Sequence, residues 1–339
     1  MTMASIKIFS KKTFLIIIFS QLVLIIFILL YLSKSDLNVK ITDSKVKGEY
    51  TSQSKLEYFY EPKPYQSSFN SVPYETQTVQ YSVNSDGLND LSEYSKQKPN
   101  NVYRILVFGD SFTFGTYVNT AESYPEVLEQ TLINSCPSKK IEILNFGVQG
   151  YDLEYMVERM KLKGIEYNPD LVIFLLKEND VNRILDRTFE KYAAMISNKI
   201  KISVENLPKE ALELSTNEFG TEQEKTEMFR IASIEVGGGI PKHKIIEHNL
   251  AQLEKLKSIY SKKVLIVTFP DGYKQTLNIK KSFENFVNSN QNFVFFDALP
   301  NINDLHLTIK NDLHPNTEGH RQIAKSIKDY LIPNYNLCE

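Results

Sequence analysis

Five short apolar runs alternate with helical stretches from residue 102 onward, and no other feature of the chain restricts its fold as strongly. Segments 103–108 (YRILVF), 141–146 (IEILNF), 170–176 (DLVIFLL), 264–269 (VLIVTF) and 293–297 (FVFFD) read as buried strands: short, rich in β-branched or aromatic residues, and mostly bounded by turn formers. Segments 121–135, 151–164, 245–261, 281–290 and 317–331 instead carry apolar residues at helical spacing. Strands joined through helices pair in parallel, and strands apolar on both faces need helices over both. With right-handed crossovers the expected product is a three-layered α/β fold around a doubly wound, five-stranded parallel sheet. Such sheets place their sites beyond the carboxyl ends of the strands.

Residues 14–32 (FLIIIFSQLVLIIFILLYL) contain no charge. As a helix this run is about 28 Å long, close to the hydrocarbon thickness of a bilayer. Lys7, Lys11 and Lys12 precede it, so the positive-inside rule sets the N-terminus in the cytoplasm and everything after Ser33 outside. A cleaved signal peptide is the competing reading. It would have an apolar core of roughly 7–15 residues and a small-residue cleavage site. The run here is longer and LSKSD is a poor site, which favours an uncleaved anchor. The expected layout is a cytoplasmic tail and transmembrane signal anchor over 1–34, then a stalk and N-terminal extension over 35–101. The main domain follows over 102–335, with an insertion at about 181–244. Tyr58, Phe59, Tyr60, Tyr65, Phe69 and Tyr74 of the extension are expected to pack onto that domain rather than form a sugar-stacking surface.

The formal net charge is −2 with both signs interleaved, which gives no electrostatic footprint for nucleic acid. Cys136 and Cys338 stand outside any CxxC or Cys/His cluster, so no structural zinc site is expected. They either pair, as an oxidising compartment allows, or remain separate thiols. The run Gly237-Gly238-Gly239-Ile240-Pro241 lacks the GxxxxGK[ST] pattern of a phosphate-binding loop, and no cofactor is expected.

Reactive residue types cluster where the fold predicts a site. Ser111 follows the first strand, Gly147 the second and Asn179 the third, while Asp312 and His314 lie between the fifth strand and the last helix. Acyl transfer needs an activated nucleophile, a base, a group orienting the base, and donors aimed at the developing oxyanion. In that scheme Ser111 attacks, and His314 takes its proton and later returns it to the leaving alcohol. The backbone N–H groups of Ser111 and Gly147 and the side-chain amide of Asn179 form the oxyanion hole, with glycine at 147 admitting close approach of the substrate oxygen. Each residue also has an ordinary reading. Ser111 suits a helix cap, His314 a loop histidine bonded to backbone, and Asn179 and Asp180 caps of the next helix. Their joint placement after successive strands favours the site. His320 is assigned to a helix surface, and His243, His248 and His306 have no partner identifiable in the sequence.

The same residues carry a family resemblance. ILVFGDSFTFG (105–115) resembles the first sequence block of the SGNH/GDSL hydrolases, whose nucleophile is the serine of Gly-Asp-Ser. NFGVQGYD (145–152) resembles the second block, with Gly147 at the oxyanion glycine, and KEND (177–180) matches the third at Asn179 and Asp180. DLHPNTEGH (312–320) resembles the last block, where the histidine precedes Pro-Asn and a helix. YSVNSDGLND (81–90) resembles the lead-in of one bacterial branch. Two positions depart from the pattern. Lys177 replaces the usual glycine of the third block, and Asn311 stands three residues before His314, where Asp-x-x-His would place the aspartate. Asp312 fits the Asp-x-His variant and is the expected orienting carboxylate.

The resemblance implies a flavodoxin-like sheet and a metal-free esterase that works through an acyl-serine, with Ser111, Asp312 and His314 catalytic. Relatives outside the membrane often act on O-acetyl groups of cell-envelope or exported glycans, so the implied partner is an acyl ester, with a glycan among the candidates. Hydrolase and O-acyltransferase are not separated by sequence. The rival class is a non-catalytic binding protein with the same pocket. A flavodoxin-like nucleotide binder would share the sheet order, but no sequence feature supports it.

Overall fold

The computed structural model of the chain describes residues 54–56, 59–73, 76–182, 184, 242–268, 277–298, 305–312 and 314–338. The uncharged run 14–32 and nearly all of the 181–244 insertion lie outside these residues. Among the described residues no helix is long and apolar enough to cross a membrane.

An antiparallel hairpin comes first, β1 (Ser67–Ser71) against β2 (Thr78–Ser82). The main sheet holds β3 (Val102–Phe108), β4 (Lys140–Asn145), β5 (Leu171–Leu176), β6 (Lys263–Thr268) and β7 (Phe293–Asp297), all parallel, in the order β4-β3-β5-β6-β7. This is the expected doubly wound five-stranded arrangement. Its helices are α1 (Ser111–Phe114), α2 (Tyr124–Ser135), α3 (Leu153–Leu162), α4 (Glu178–Asn182), α5 (Lys242–Ile259), α6 (Leu277–Asn288) and α7 (Thr317–Tyr335).

The period-2 alternation of strand side chains explains why apolar residues occupy both faces of these strands. Leu106 and Phe108 of β3 point into one core with Val172, Phe174 and Leu176 of β5, where Met156 and Met160 of α3, Leu253 of α5 and Phe283 of α6 cover them. Ile105 and Val107 point to the other face with Ile173 and Leu175, under Leu128 and Leu132 of α2 and Ile323 and Ile327 of α7. Cys136 caps the end of α2 and is disulfide-bonded to Cys338, just beyond α7, which answers the question the sequence left open.

Boundaries differ where caps and prolines intervene. The helix expected from residue 121 begins with a separate 3-10 turn, Thr120–Glu122, because Asn119 and Glu122 form a capping box. α2 proper starts at Tyr124, with Pro125 in the first turn, where a missing N–H costs nothing. The last helix runs past Leu331 through Pro333 and closes on Asn336 in the left-handed conformation.

The extension packs as expected at two of its aromatics. Phe59 is buried against Tyr155, and the Tyr60 hydroxyl donates to the Gln149 carbonyl at 2.6 Å. Buried Arg159 of α3 donates to the Gly87 carbonyl, and Lys163 pairs with Glu61 at 2.9 Å, which fastens the extension to α3. Tyr65 is exposed, while Tyr58 and Tyr74 lie outside the described residues.

Candidate active site

The carboxyl end of β3 runs into Gly109-Asp110-Ser111. Asp110 caps α1, its Oδ1 accepting the Phe112 N–H at 2.9 Å, so Ser111 opens a single helical turn. Gly115 ends that turn at φ 89°, a conformation that favours glycine, with its N–H on the Ser111 carbonyl.

His314 comes from a tight loop before α7. Asn316 caps that helix through the Gly319 N–H at 3.0 Å, and its amide donates back to the carbonyls of His306 and Thr308. Asp312 N–H bonds the Ile309 carbonyl and Ile309 N–H bonds the His314 carbonyl, closing the loop around Asn311, whose φ of 59° is left-handed. Phe112 and Tyr117 flank the imidazole with ring centroids at 5.2 Å.

These elements bring three expected residues together. His314 Nε2 lies 2.8 Å from Ser111 Oγ, and His314 Nδ1 lies 2.6 Å from Asp312 Oδ1. An ionised carboxylate only accepts, so Nδ1 carries the proton and Nε2 is left to accept from the serine hydroxyl. The His314 and Asp312 side chains are 24% and 23% exposed, which leaves the relay open to solvent on one side.

Gly147, expected as an oxyanion donor, lies in the loop that follows β4. Its N–H donates to Asn145 Oδ1 at 3.0 Å inside the chain. Packing requires glycine there: a Cβ would lie 2.3 Å from the Phe114 backbone nitrogen, so the loop could not pack under α1. Asn179 sits in α4 directly after β5. Asp180 is buried, and its carboxylate accepts the Lys177 N–H at 2.9 Å, tying the start of that turn.

In the sequence Lys177 stands out only as a departure from the glycine of the third block. The structure buries it with Asp110, Nζ 2.6 Å from Oδ2, and sets the ammonium 4.0 Å from the centroid of the Phe112 ring. Burial pushes the Asp110 carboxyl up, but the Lys177 ammonium, the Phe112 N–H and His314 together hold it below the usual carboxylate range.

His320 is not on a helix surface. It is fully buried, its Nδ1 accepts the Tyr124 N–H at 3.1 Å, and burial pushes its pKa down to about 3. The signal was available, because His320 shares the inward face of α7 with Ile323, Ala324, Ile327 and Leu331 at helical spacing. His248 also has a partner, Glu154 of α3, at 3.1 Å.

The GDSL-like Lipase/Acylhydrolase family model matches residues 105–327. No curated protein matches the chain. Solved structures similar to part of it include a Desulfitobacterium hafniense protein assigned to the G-D-S-L lipolytic family (20% identity, 67% of this chain and 98% of that one, TM-score 0.39). Others are the psychrotrophic esterase EstA from Pseudoalteromonas (15%, 70% and 100%, 0.42) and a Clostridium thermocellum family 3 carbohydrate esterase (15%, 68% and 96%, 0.40).

Proposed function

Since this chain belongs to the GDSL-like lipase/acylhydrolase family and is a hydrolase of that family, we propose that it cleaves O-acyl esters outside the cytoplasm through an acyl-Ser111 intermediate. The observation that carries the reading is the continuous relay from Asp312 through His314 to Ser111, at 2.6 and 2.8 Å.

In the forward step Ser111 Oγ attacks the ester carbonyl while its proton passes to His314 Nε2. The imidazolium is stabilised by Asp312 and returns the proton to the departing alkoxide. Ser111, as the first residue of α1, offers its N–H to the developing oxyanion at the positive end of that turn. The Asn179 amide and the Gly147 N–H are the further donors in this scheme, the latter on turning from Asn145 Oδ1 to the oxyanion. Water then resolves the acyl-enzyme by the same base. A sugar hydroxyl in place of water would make the enzyme an O-acyltransferase, and acetylated envelope glycans are the substrate class we favour.

Two features support an extracytoplasmic location: the uncharged run 14–32 behind three lysines, and the Cys136–Cys338 disulfide, a bond that persists in oxidising compartments. The reading is tested by reacting the detergent-solubilised full chain with a fluorophosphonate and mapping the adduct by mass spectrometry. Labelling at Ser111 that disappears in His314→Ala is the expected result. A folded protein that stays unlabelled would remove the nucleophile assignment. Acetate release from acetylated glycans, measured with and without an acceptor sugar, then separates hydrolysis from transfer.

A further inference from the structure

The Ser111 hydroxyl has two acceptors within reach. His314 Nε2 stands at 2.8 Å and Asp110 Oδ2 at 3.3 Å. Only the first leads to chemistry, because a hydroxyl proton drawn toward a neighbouring carboxylate is not aligned for transfer to the base. An ionised carboxylate is also the stronger acceptor of the two, so the arrangement needs something to weaken Oδ2.

Lys177 does this. Asp110 Oδ1 is taken by the Phe112 N–H, and Oδ2 receives the Lys177 ammonium at 2.6 Å. We propose that Lys177 is a positioning residue for the nucleophile: by occupying the Asp110 oxygen nearest the serine, it directs the Ser111 proton to His314. The proposal rests on the serine-hydrolase reading above. Adjacent strands create the meeting point. Phe108 of β3 pairs with Phe174 of β5, so the residues that follow the two strands, Asp110 and Lys177, emerge side by side at the same edge. Both side chains are almost fully buried, where an ion pair interacts more strongly than in water and an unpartnered carboxylate is costly. The ammonium is held from below by the Phe112 ring, and its backbone N–H by Asp180. Lys177 stands where the third family block usually has glycine, so the ammonium belongs to this chain rather than to the common pattern.

Among the described residues, the charged and titratable groups around the base are Asp312 at Nδ1, Asp110 beyond Ser111, His320 of α7 and the Tyr117 ring. Removing Lys177 leaves the Asp110 charge uncompensated beside this set, which favours the imidazolium and leaves less free imidazole to take the serine proton.

The test is the rate of fluorophosphonate labelling of the full chain across pH. In that reaction the Ser111 Oγ–P bond forms, fluoride leaves, and the hydroxyl proton goes to His314. Lys177→Met is expected to slow labelling roughly tenfold or more and move the acid limb of the profile to higher pH. Lys177→Arg keeps the charge and is expected to restore most of the rate. In an Asp110→Asn background, where no carboxylate competes, Lys177→Met is expected to add little. The neutral double variant also carries the test if Lys177→Met alone fails to fold, because it is read against Asp110→Asn. Labelling of Lys177→Met at the parent rate with an unchanged acid limb would overturn the proposal, as would an equal slowing in both backgrounds. Absence of labelling in the parent protein would instead overturn the serine-hydrolase reading itself.

Discussion

Asp312 holds His314 twice through one oxygen: Oδ1 accepts the ring Nδ1–H at 2.6 Å and the backbone N–H at 2.7 Å. The carboxylate therefore fixes both the imidazole tautomer and the loop that carries it. An amide at this position keeps the shape but loses the charge that stabilises the imidazolium. Asp312→Asn is expected to cut kcat on p-nitrophenyl acetate by about 10³–10⁴-fold, the scale seen when serine-protease triads lose this group. Asn311 is exposed and left-handed, so Asn311→Gly is expected to stay within a few-fold of the parent enzyme.

The parts of this site that were legible in sequence are those set by local pattern. Short, mostly apolar runs identified all five strands of the sheet, because a strand covered on both faces presents apolar side chains to both. Asp312 was legible because it acts on a residue two positions away. What escaped was set by tertiary adjacency. Lys177 meets Asp110 only because β3 and β5 are neighbours, and position 147 must be glycine because the loop packs against the backbone of α1. His320 was misplaced for a different reason: a histidine reads as polar, although its spacing with Ile323 and Ile327 put it on the buried face of α7.

The extension reaches the loop that follows β4. Tyr60 donates to the Gln149 carbonyl at 2.6 Å, the Gln149 amide donates to Thr116 Oγ1 at 2.8 Å, and the Tyr151 hydroxyl donates to the Tyr60 carbonyl. Tyr60→Phe removes one bond, worth about 1 kcal/mol, from a loop beside the nucleophile. The expected outcome is a loss of roughly threefold to tenfold in kcat/KM, set against a small change in Tm. An unchanged kcat/KM would show that the extension does not position this loop.

The disulfide closes a sequence separation of 202 residues between the ends of two helices that pack in the same core. Cross-links over long loops restrict the unfolded chain most, and loss of a native one costs about 2–5 kcal/mol. The Cys136→Ser/Cys338→Ser variant is expected to melt several degrees lower while kcat stays near parental, because neither cysteine touches the relay. Thermal melts with and without reductant on the parent protein check the same point without a substitution.

Stability should also fall as pH rises, for a reason located behind the sheet edge. Asp90, Glu126 and Glu129 are buried beside the partly buried Tyr94, whose hydroxyl donates to Asp90 at 3.0 Å. Burial pushes all three carboxyls up, and the neighbouring negative charges add to this for Asp90 and Glu129. Glu129 rises from its ordinary 4.5 to about 7. A carboxyl raised on folding binds its proton more tightly in the native state. Its contribution is therefore full below pH 4.5 and is lost as the pH climbs through about 7. For Glu129 the loss is on the order of 3 kcal/mol. Glu129→Gln keeps the acceptor for the Ile143 N–H, which Glu129 holds at 3.2 Å, and removes the titration. In urea unfolding across pH 4 to 8, the parent is expected to lose stability through this window and the variant to lose less, ending more stable than the parent at pH 8. Parallel curves for the two proteins would show that Glu129 is not the group responsible.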